Sequence, residues 1–308
     1  MKLKKTIFLT LIVAVAIVLI AIFWTKKSAK NYFERAQSEQ NLEKKIKLLT
    51  KVISFDKDFK QAYLLRADTY LKLASPDYGD IFGIICCGKK LSYLQERYVQ
   101  KAAIDLEKIE QGEKDLEMGQ VHFFMQNYSK AFVMLNRALK KTPKYFDAIL
   151  FTGFAHMTLK DYNATIKLFE KALDLGSDKI EIRLMIARLH EMKGEIDSAM
   201  EHYRYVIDLG LDDPDELYSL SGIFILRKDF NYAQKAINTL NEAPDNKSTA
   251  QILYAAYYWN KDGDKKKTFS YLEEAKNIGG REFDIPETFP VWLFKGLENN
   301  AEFKNYLP

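Results

Sequence analysis

The octapeptide Gly83-Ile-Ile-Cys-Cys-Gly-Lys-Lys90 comes nearest to a chemical motif in this chain. It is one residue away from the phosphate-cradling loop G-x-x-x-x-G-K-[ST], whose backbone N–H groups hold phosphates and whose final hydroxyl holds magnesium. Lys90 stands where that hydroxyl is needed, and no strand leads into the stretch, so nucleotide binding is set aside. Cys86 and Cys87 are adjacent, with no histidine near them in the sequence, and two such thiols cannot complete a four-ligand zinc site. They are also the only cysteines, which excludes a disulfide framework. Three readings of this apolar run stay open. It is a plug packed under a long loop, a partner-binding tip made of Ile81, Phe82, Ile84, Ile85, Cys86 and Cys87, or a cysteine pair that is modified or binds metal.

Three of the four histidines, His122, His156 and His190, lie 34 residues apart. A ladder of metal ligands is one reading of such spacing. Helices one period apart sit on the order of 10 Å from each other, too far for their imidazoles to share one ion. The fourth, His202, reads as surface material. Serines and carboxylates are scattered without a nucleophile–base–orienter set, so no catalytic residue, no cofactor and no small-molecule substrate is expected.

The elements that carry these residues begin with an apolar stretch. Thr6 to Trp24 is 19 residues long, and Thr6 and Thr10 are its only polar members. As a helix it spans roughly 28 Å, enough for a hydrocarbon core. Trp24 sits where an interfacial aromatic belongs, with Lys26 and Lys27 beyond it. No small-x-small cleavage site follows, so residues 6–24 read as an uncleaved transmembrane anchor after a tail of residues 1–5. The flanking charges nearly balance. The short tail favours its staying inside, with the body translocated across a bacterial inner or cytoplasmic membrane.

Hydrophobic residues make up 47% of the 308 residues and charged ones 29%, ample for a packed core, while 14 Gly and 7 Pro argue for long helices. The net charge of +4 comes from Lys2, Lys4, Lys5, Lys26, Lys27 and Lys30, so residues 31–308 sum to −2. That body lacks the basic footprint of a nucleic-acid binder.

Self-similarity at 34 residues then organises the body. Repeats starting at Gly112, Phe146, Ile180 and Pro214 keep a strict step, and a fifth starts near Thr249. The first has Gly119, Ala131, Ala138 and Pro143; the second Gly153, Phe169 and Ala172; the third Ala187, Gly194, Ala199 and Tyr203. The fourth has Leu217, Leu220, Phe230, Ala233, Ile237 and Pro244; the fifth Ile252, Ala256, Trp259, Gly263, Leu272 and Ala275. Small residues let two antiparallel helices approach closely, and large ones fill the space between successive pairs. This pattern resembles the tetratricopeptide repeat (TPR) family over roughly residues 60–281.

The resemblance implies an all-α fold, a right-handed α-solenoid of antiparallel helix pairs following the N-terminal helix. The expected divisions are a degenerate first repeat or cap at 25–59, a repeat with an insertion at 60–111, repeats at 112–145, 146–179, 180–213, 214–248 and 249–281, and a closing cap at 282–308. The insertion is taken as a loop from Ala74 to Arg97, with helix B starting late, near Tyr98. In the family the three spaced histidines occupy a position that often holds Tyr packed toward helix B, so they read as packing substitutes.

The family binds peptides along a concave face lined by the first helix of each pair. The positions carried over are Leu116, Phe123, Leu150, Phe154, Met157, Leu184, Arg188, Tyr218, Ile225 and Tyr257. A subset of the family clamps a partner's carboxylate with Lys and Asn, which are absent from these positions. The face is apolar and aromatic, suited to an amphipathic helix or to a segment of the same chain; the alternative is that these side chains pack between helices. The expected role is a membrane scaffold that binds or assembles other proteins, with a client-holding chaperone or an enzyme's regulatory subunit as the other classes.

Overall fold

A computed structural model describes residues 2–74, 78–87, 90–110, 112–176, 180–279 and 291–306. The side chains of 2–11, 78–80, 86, 87 and 291 lie outside that description, as do Pro286 and Pro290 of the expected cap. Every regular element among the described residues is helical. The chain divides into two compact units, Met1–Ile182 and Arg183–Pro308.

In the first unit α1 (Lys2–Ser38) runs unbroken for 37 residues. It is the one described helix long and apolar enough to cross a membrane. Its last ten residues pair with α2 (Leu42–Phe55), which Asn41 caps by accepting from Lys44 N–H. Ala29, Ala36, Leu49 and Val52 form the buried centre of this hairpin together with Ala62 beyond it, flanked by Tyr32, Phe33 and Phe59. The apolar segment therefore enters the first helix pair with no linker.

The second pair is α3 (Lys60–Ala74) against α5 (Tyr93–Leu106), and α4 (Tyr78–Cys87) lies between them in the chain. This corrects the sequence reading twice. The insertion holds a ten-residue helix rather than a loop, and helix B starts at Tyr93, five residues before the expected Tyr98. The cause of the early start is a capping box: the Ser92 hydroxyl accepts from Gln95 N–H, and the Gln95 side chain accepts from Ser92 N–H. A fork of two 2.7 Å hydrogen bonds from Arg66 to buried Asp105 joins α3 to α5 across the insertion.

From there the pairs are regular. They are α6 (Asp115–Phe124) with α7 (Tyr128–Lys141) and α8 (Phe146–Thr158) with α9 (Tyr162–Asp174). Helix α10 (Ile180–Met192) begins at the end of the first unit and pairs with α11 (Ile196–Asp208), linked by Tyr203 Oη donating to Glu191 at 3.0 Å. In the second unit α12 (Pro214–Leu226) pairs with α13 (Phe230–Glu242) and α14 (Lys247–Asp262) with α15 (Lys265–Gly279).

Two devices recur every 34 residues. The first is close helix approach. A Cβ on Gly119 would lie 2.7 Å from Leu135 Cγ, and one on Gly153 would lie 2.7 Å from Phe169 Cε1. At Gly153 the bared carbonyl also accepts from Thr165 Oγ1 at 3.2 Å. The second is the turn between helices A and B. Gln126, Lys160, Gly194 and Lys228 all have left-handed φ, between 59° and 79°. In each turn the next residue's N–H closes onto the carbonyl five back, as in Asp161 to His156 at 3.1 Å. Only one of these four positions is glycine.

The two devices respond oppositely to mutation. Gly119→Ala or Gly153→Ala gains up to about 1 kcal/mol of helix propensity but forces a clash costing about 1–3 kcal/mol. Lys160→Gly or Lys228→Gly relieves left-handed strain and should stabilise by about 0.5–1 kcal/mol. Urea midpoints of the full chain in detergent should fall for the first two variants and rise for the other two. A rise for Gly153→Ala would mean that Phe169 does not hold the space assigned to it.

Candidate protein-binding surface

In the first unit the helix-A row is α3, α6 and α8, with α6 touching both others. Helix α8 is buried from Ala148 to Ala155 without a break, and again at Met157. Repeat neighbours leave one face of such a helix open. The non-repeat neighbour of α8 is α4, which packs against it and buries Ile81 and Phe82. Part of α8 is thus covered by the chain's own inserted helix.

The ten carried-over residues fall out accordingly. Phe123, Leu150, Phe154, Met157, Leu184, Ile225 and Tyr257 are core residues, each at most 5% exposed. Phe123 and Phe154 sit at the centre of a ring cluster with Phe151, Phe124, Tyr128 and Phe169, at centroid distances of 5.2–6.3 Å. Tyr257 packs edge-on against Phe230 and Tyr258. These seven pack between helices rather than forming a solvent-facing wall. Arg188 is engaged by Glu216, with Nη2 2.6 and 2.7 Å from its two carboxylate oxygens. Leu116 and Tyr218 remain half-buried, and so do Ile84 and Ile85 of α4. Cys86 and Cys87 end α4, their side chains outside the described residues.

The second unit repeats the arrangement with a different segment. A short 3-10 turn, Val291–Phe294, lies on α12 and α14. Leu293 points at Gly222, its Cδ1 3.9 Å from where a Cβ would stand. Trp259 Nε1 donates to Lys295 O at 3.0 Å, and Asn260 Nδ2 donates to Leu293 O. Leu293, Phe294, Leu297 and Phe303 are buried, whereas Trp292 is exposed.

Polar residues remain at the margin of the first unit's row. Lys72 Nζ lies 2.9 Å from Asp68, and Asp147 and Tyr145 add to the field around that lysine. Among them Glu117 is pushed up to about 7, first by burial and then by the acidic neighbours Asp68, Asp115 and Asp147. Beside the insertion a cleft of about 300 Å³ opens between Leu91, Glu96, Val99 and Gln100 on one side and Phe124, Met125 and Gln126 on the other. Sequence reasoning missed Glu117, since nothing local distinguishes it from a solvated glutamate.

Two of the three spaced histidines serve packing and turns, while His122 Nδ1 is buried without a hydrogen-bond partner among the described residues. His156 meets the Phe132 ring edge-on at 5.1 Å, with Nδ1 3.2 Å from Asp161. His190 stacks on His202 at 5.7 Å, with Nδ1 2.7 Å from Glu195. Each acidic partner is the residue that follows the left-handed turn position. Among the described residues no three His, Cys, Asp or Glu side chains gather as metal ligands.

No protein-family profile matches the chain. It is similar to Tetratricopeptide repeat protein 8 of Caenorhabditis elegans, with 23% identity over 107 residues, covering 34% of this chain and 21% of that protein. The chain thus matches about a fifth of that relative's length. Among solved structures it is similar to a tetratricopeptide repeat protein from Parabacteroides merdae, at 13% identity and TM-score 0.46, covering 83% of this chain and 95% of that one. It is also similar to pilF of Pseudomonas aeruginosa, at 16% identity and TM-score 0.45, covering 82% and 97%. For MamA of Desulfovibrio magneticus the identity is 18% and the TM-score 0.43, covering 60% and 94%. These likenesses are distant, and the 34-residue geometry described above is the firmer ground. On it, the chain has a TPR-like, all-α fold of antiparallel helix pairs.

Glu117 makes a prediction about pH. Its folded carboxyl keeps its proton until about pH 7, while the unfolded one releases it near the ordinary 4.5. Ionisation therefore favours the unfolded chain increasingly as pH rises between those values. Glu117→Gln should be more stable than wild type at about pH 8, by on the order of 2–3 kcal/mol, with the difference closing toward about pH 5. Urea midpoints across pH would measure it. A constant difference would place Glu117 in solvent.

Proposed function

We propose that the protein is a membrane-anchored, non-catalytic scaffold that gathers partner proteins on the helix-A faces of its repeat pairs. One observation carries this reading: in each unit such a face already holds an apolar segment of the chain itself. Helix α4 lies on α8, and the Leu293 turn lies on α12 and α14. A surface that accepts a short helical segment in one unit and a 3-10 segment in the other is built to bind such segments. Leu116 and Tyr218 are its half-open positions, and Ile84 and Ile85 of α4 offer further apolar contact. A partner either adds to these segments or takes their place.

The anchor in this reading is α1, exposed on all sides from Ile12 to Lys27. In this reading the repeat body lies on the outer side of a bacterial inner membrane. Alkaline carbonate should leave the full chain in the membrane pellet, and release into the supernatant would remove the anchor. Pull-down from detergent-solubilised membranes should recover a stoichiometric partner, and its yield should change when residues 75–92 are deleted or Leu293 becomes Asp. Recovery of many clients, each in trace amount, would favour the chaperone class. Recovery of nothing by any of the three chains would end the scaffold reading.

A further inference from the structure

The α1–α2 hairpin differs from the rest of the molecule in its charge balance. Residues 26–59 carry nine Lys or Arg and five Asp or Glu, a surplus of four, whereas the chain from Lys60 onward sums to −3. Beyond the hairpin some cations are held in ion pairs, among them Arg66 with Asp105, Lys72 with Asp68, Lys141 with Asp115, Arg204 with Asp229 and Lys235 with Asp208. Within it Lys26, Lys27, Lys30, Lys44, Lys45, Lys47, Lys51 and Lys57 make no ion pair among the described residues. Two of its acids are occupied locally, Glu39 accepting from Asn41 N–H and Asp56 from Asp58 N–H. Glu34, Glu43 and Asp58 are exposed.

The helix geometry says where these cations lie. The first packed residue of α1 is Ala29, five positions after Trp24, which is about 7.5 Å along the axis. Helix α2 then returns toward the apolar segment. Phe55 stacks on Tyr32 at 5.6 Å, Phe59 meets Phe33 at 4.9 Å, and Lys51 Nζ lies 5.3 Å from the Tyr32 ring. Tyr32 is eight residues, or about 12 Å, from Trp24. The end of α2 thus lies about as far from Trp24 as headgroups and one screening length reach. Phe55 at that end is 40% exposed, an aromatic left open beside unpaired lysines.

We propose that the α1–α2 hairpin docks on an anionic lipid surface. Lys26, Lys27 and Lys30 lie among the headgroups, and Lys51, Phe55 and Lys57 at the returning end of α2 make a second point of contact. The proposal rests on the anchor reading above. Two points of contact would fix the tilt of the first helix pair against the membrane, which a single helix passing through it does not.

The test uses the full chain reconstituted into phosphatidylcholine vesicles, with and without phosphatidylglycerol. Lysines are labelled with a membrane-impermeant amine reagent and read one by one by mass spectrometry, with exposed Lys167 on α9 as internal reference. Phosphatidylglycerol should slow labelling of Lys51 and Lys57 about fivefold relative to Lys167, and high salt should reverse it. Equal rates in both vesicles would overturn the proposal. So would equal slowing by soluble heparin without anionic lipid, since the surface would then take any polyanion. Carbonate extraction of the same samples separates the two readings. A chain that resists extraction while its lysines label freely keeps the anchor and loses the docking. A chain that is extracted although its lysines are protected loses the anchor and keeps the docking.

Discussion

The stack depends on helix B entering space that helix A leaves empty. Leu135 fills the volume of a Cβ at Gly119, and Phe169 does so at Gly153. Once the axes come that close, the large residues on either side have nowhere to go but the seam between successive pairs. There they form the cluster of Phe123, Phe151, Phe154 and Phe169. Each such ring buries far more apolar surface than an aliphatic side chain, so the seam supplies much of the cohesion. Thr165 adds directionality by donating to the Gly153 carbonyl, a contact open only to a helix this near.

The period and the small residues that enforce it could be read from the chain, because both are local consequences of helix geometry. What escaped was set by partners distant in sequence. Leu150, Phe154 and Met157 sit where the family lines a groove, yet they are buried, Phe154 among the rings of Phe151 on its own helix and of Phe123 and Phe169 on neighbouring ones. Reading the insertion as a loop passes over Ser92 and Gln95, whose capping box marks the start of α5. The A–B turns were hard to place for another reason. Glycine marks a left-handed turn, and Gln126, Lys160 and Lys228 adopt one without it. Glu117 illustrates the same limit in electrostatics, since its raised pKa arises from burial and from Asp68, 49 positions earlier.

Own-chain segments on both helix-A faces change what such a surface asks of a ligand. An open groove needs only complementary shape. A covered one makes any entering segment compete with a tethered rival whose effective concentration is set by a short connection. Ile81 and Phe82 are buried at the inserted helix, and Leu293 and Phe294 at the 3-10 turn. Each unit thus seats an aliphatic residue followed directly by phenylalanine, although the backbones that present them differ. Polar anchoring differs too, with Trp259 and Asn260 gripping the backbone in the second unit.

The unbroken course of α1 has a mechanical meaning. A linker between an anchor and a folded body absorbs force by straightening. Here the same helical rod carries both the apolar segment up to Trp24 and, twelve residues on, Ala36 packed in the first pair. Tension on the body along that axis loads the Tyr32–Phe55 and Phe33–Phe59 contacts side by side, in shear, with no slack to take up first. In the anchored reading the first pair is therefore the element through which load reaches the repeat body, and Ala29 and Ala36 are where α1 packs into it.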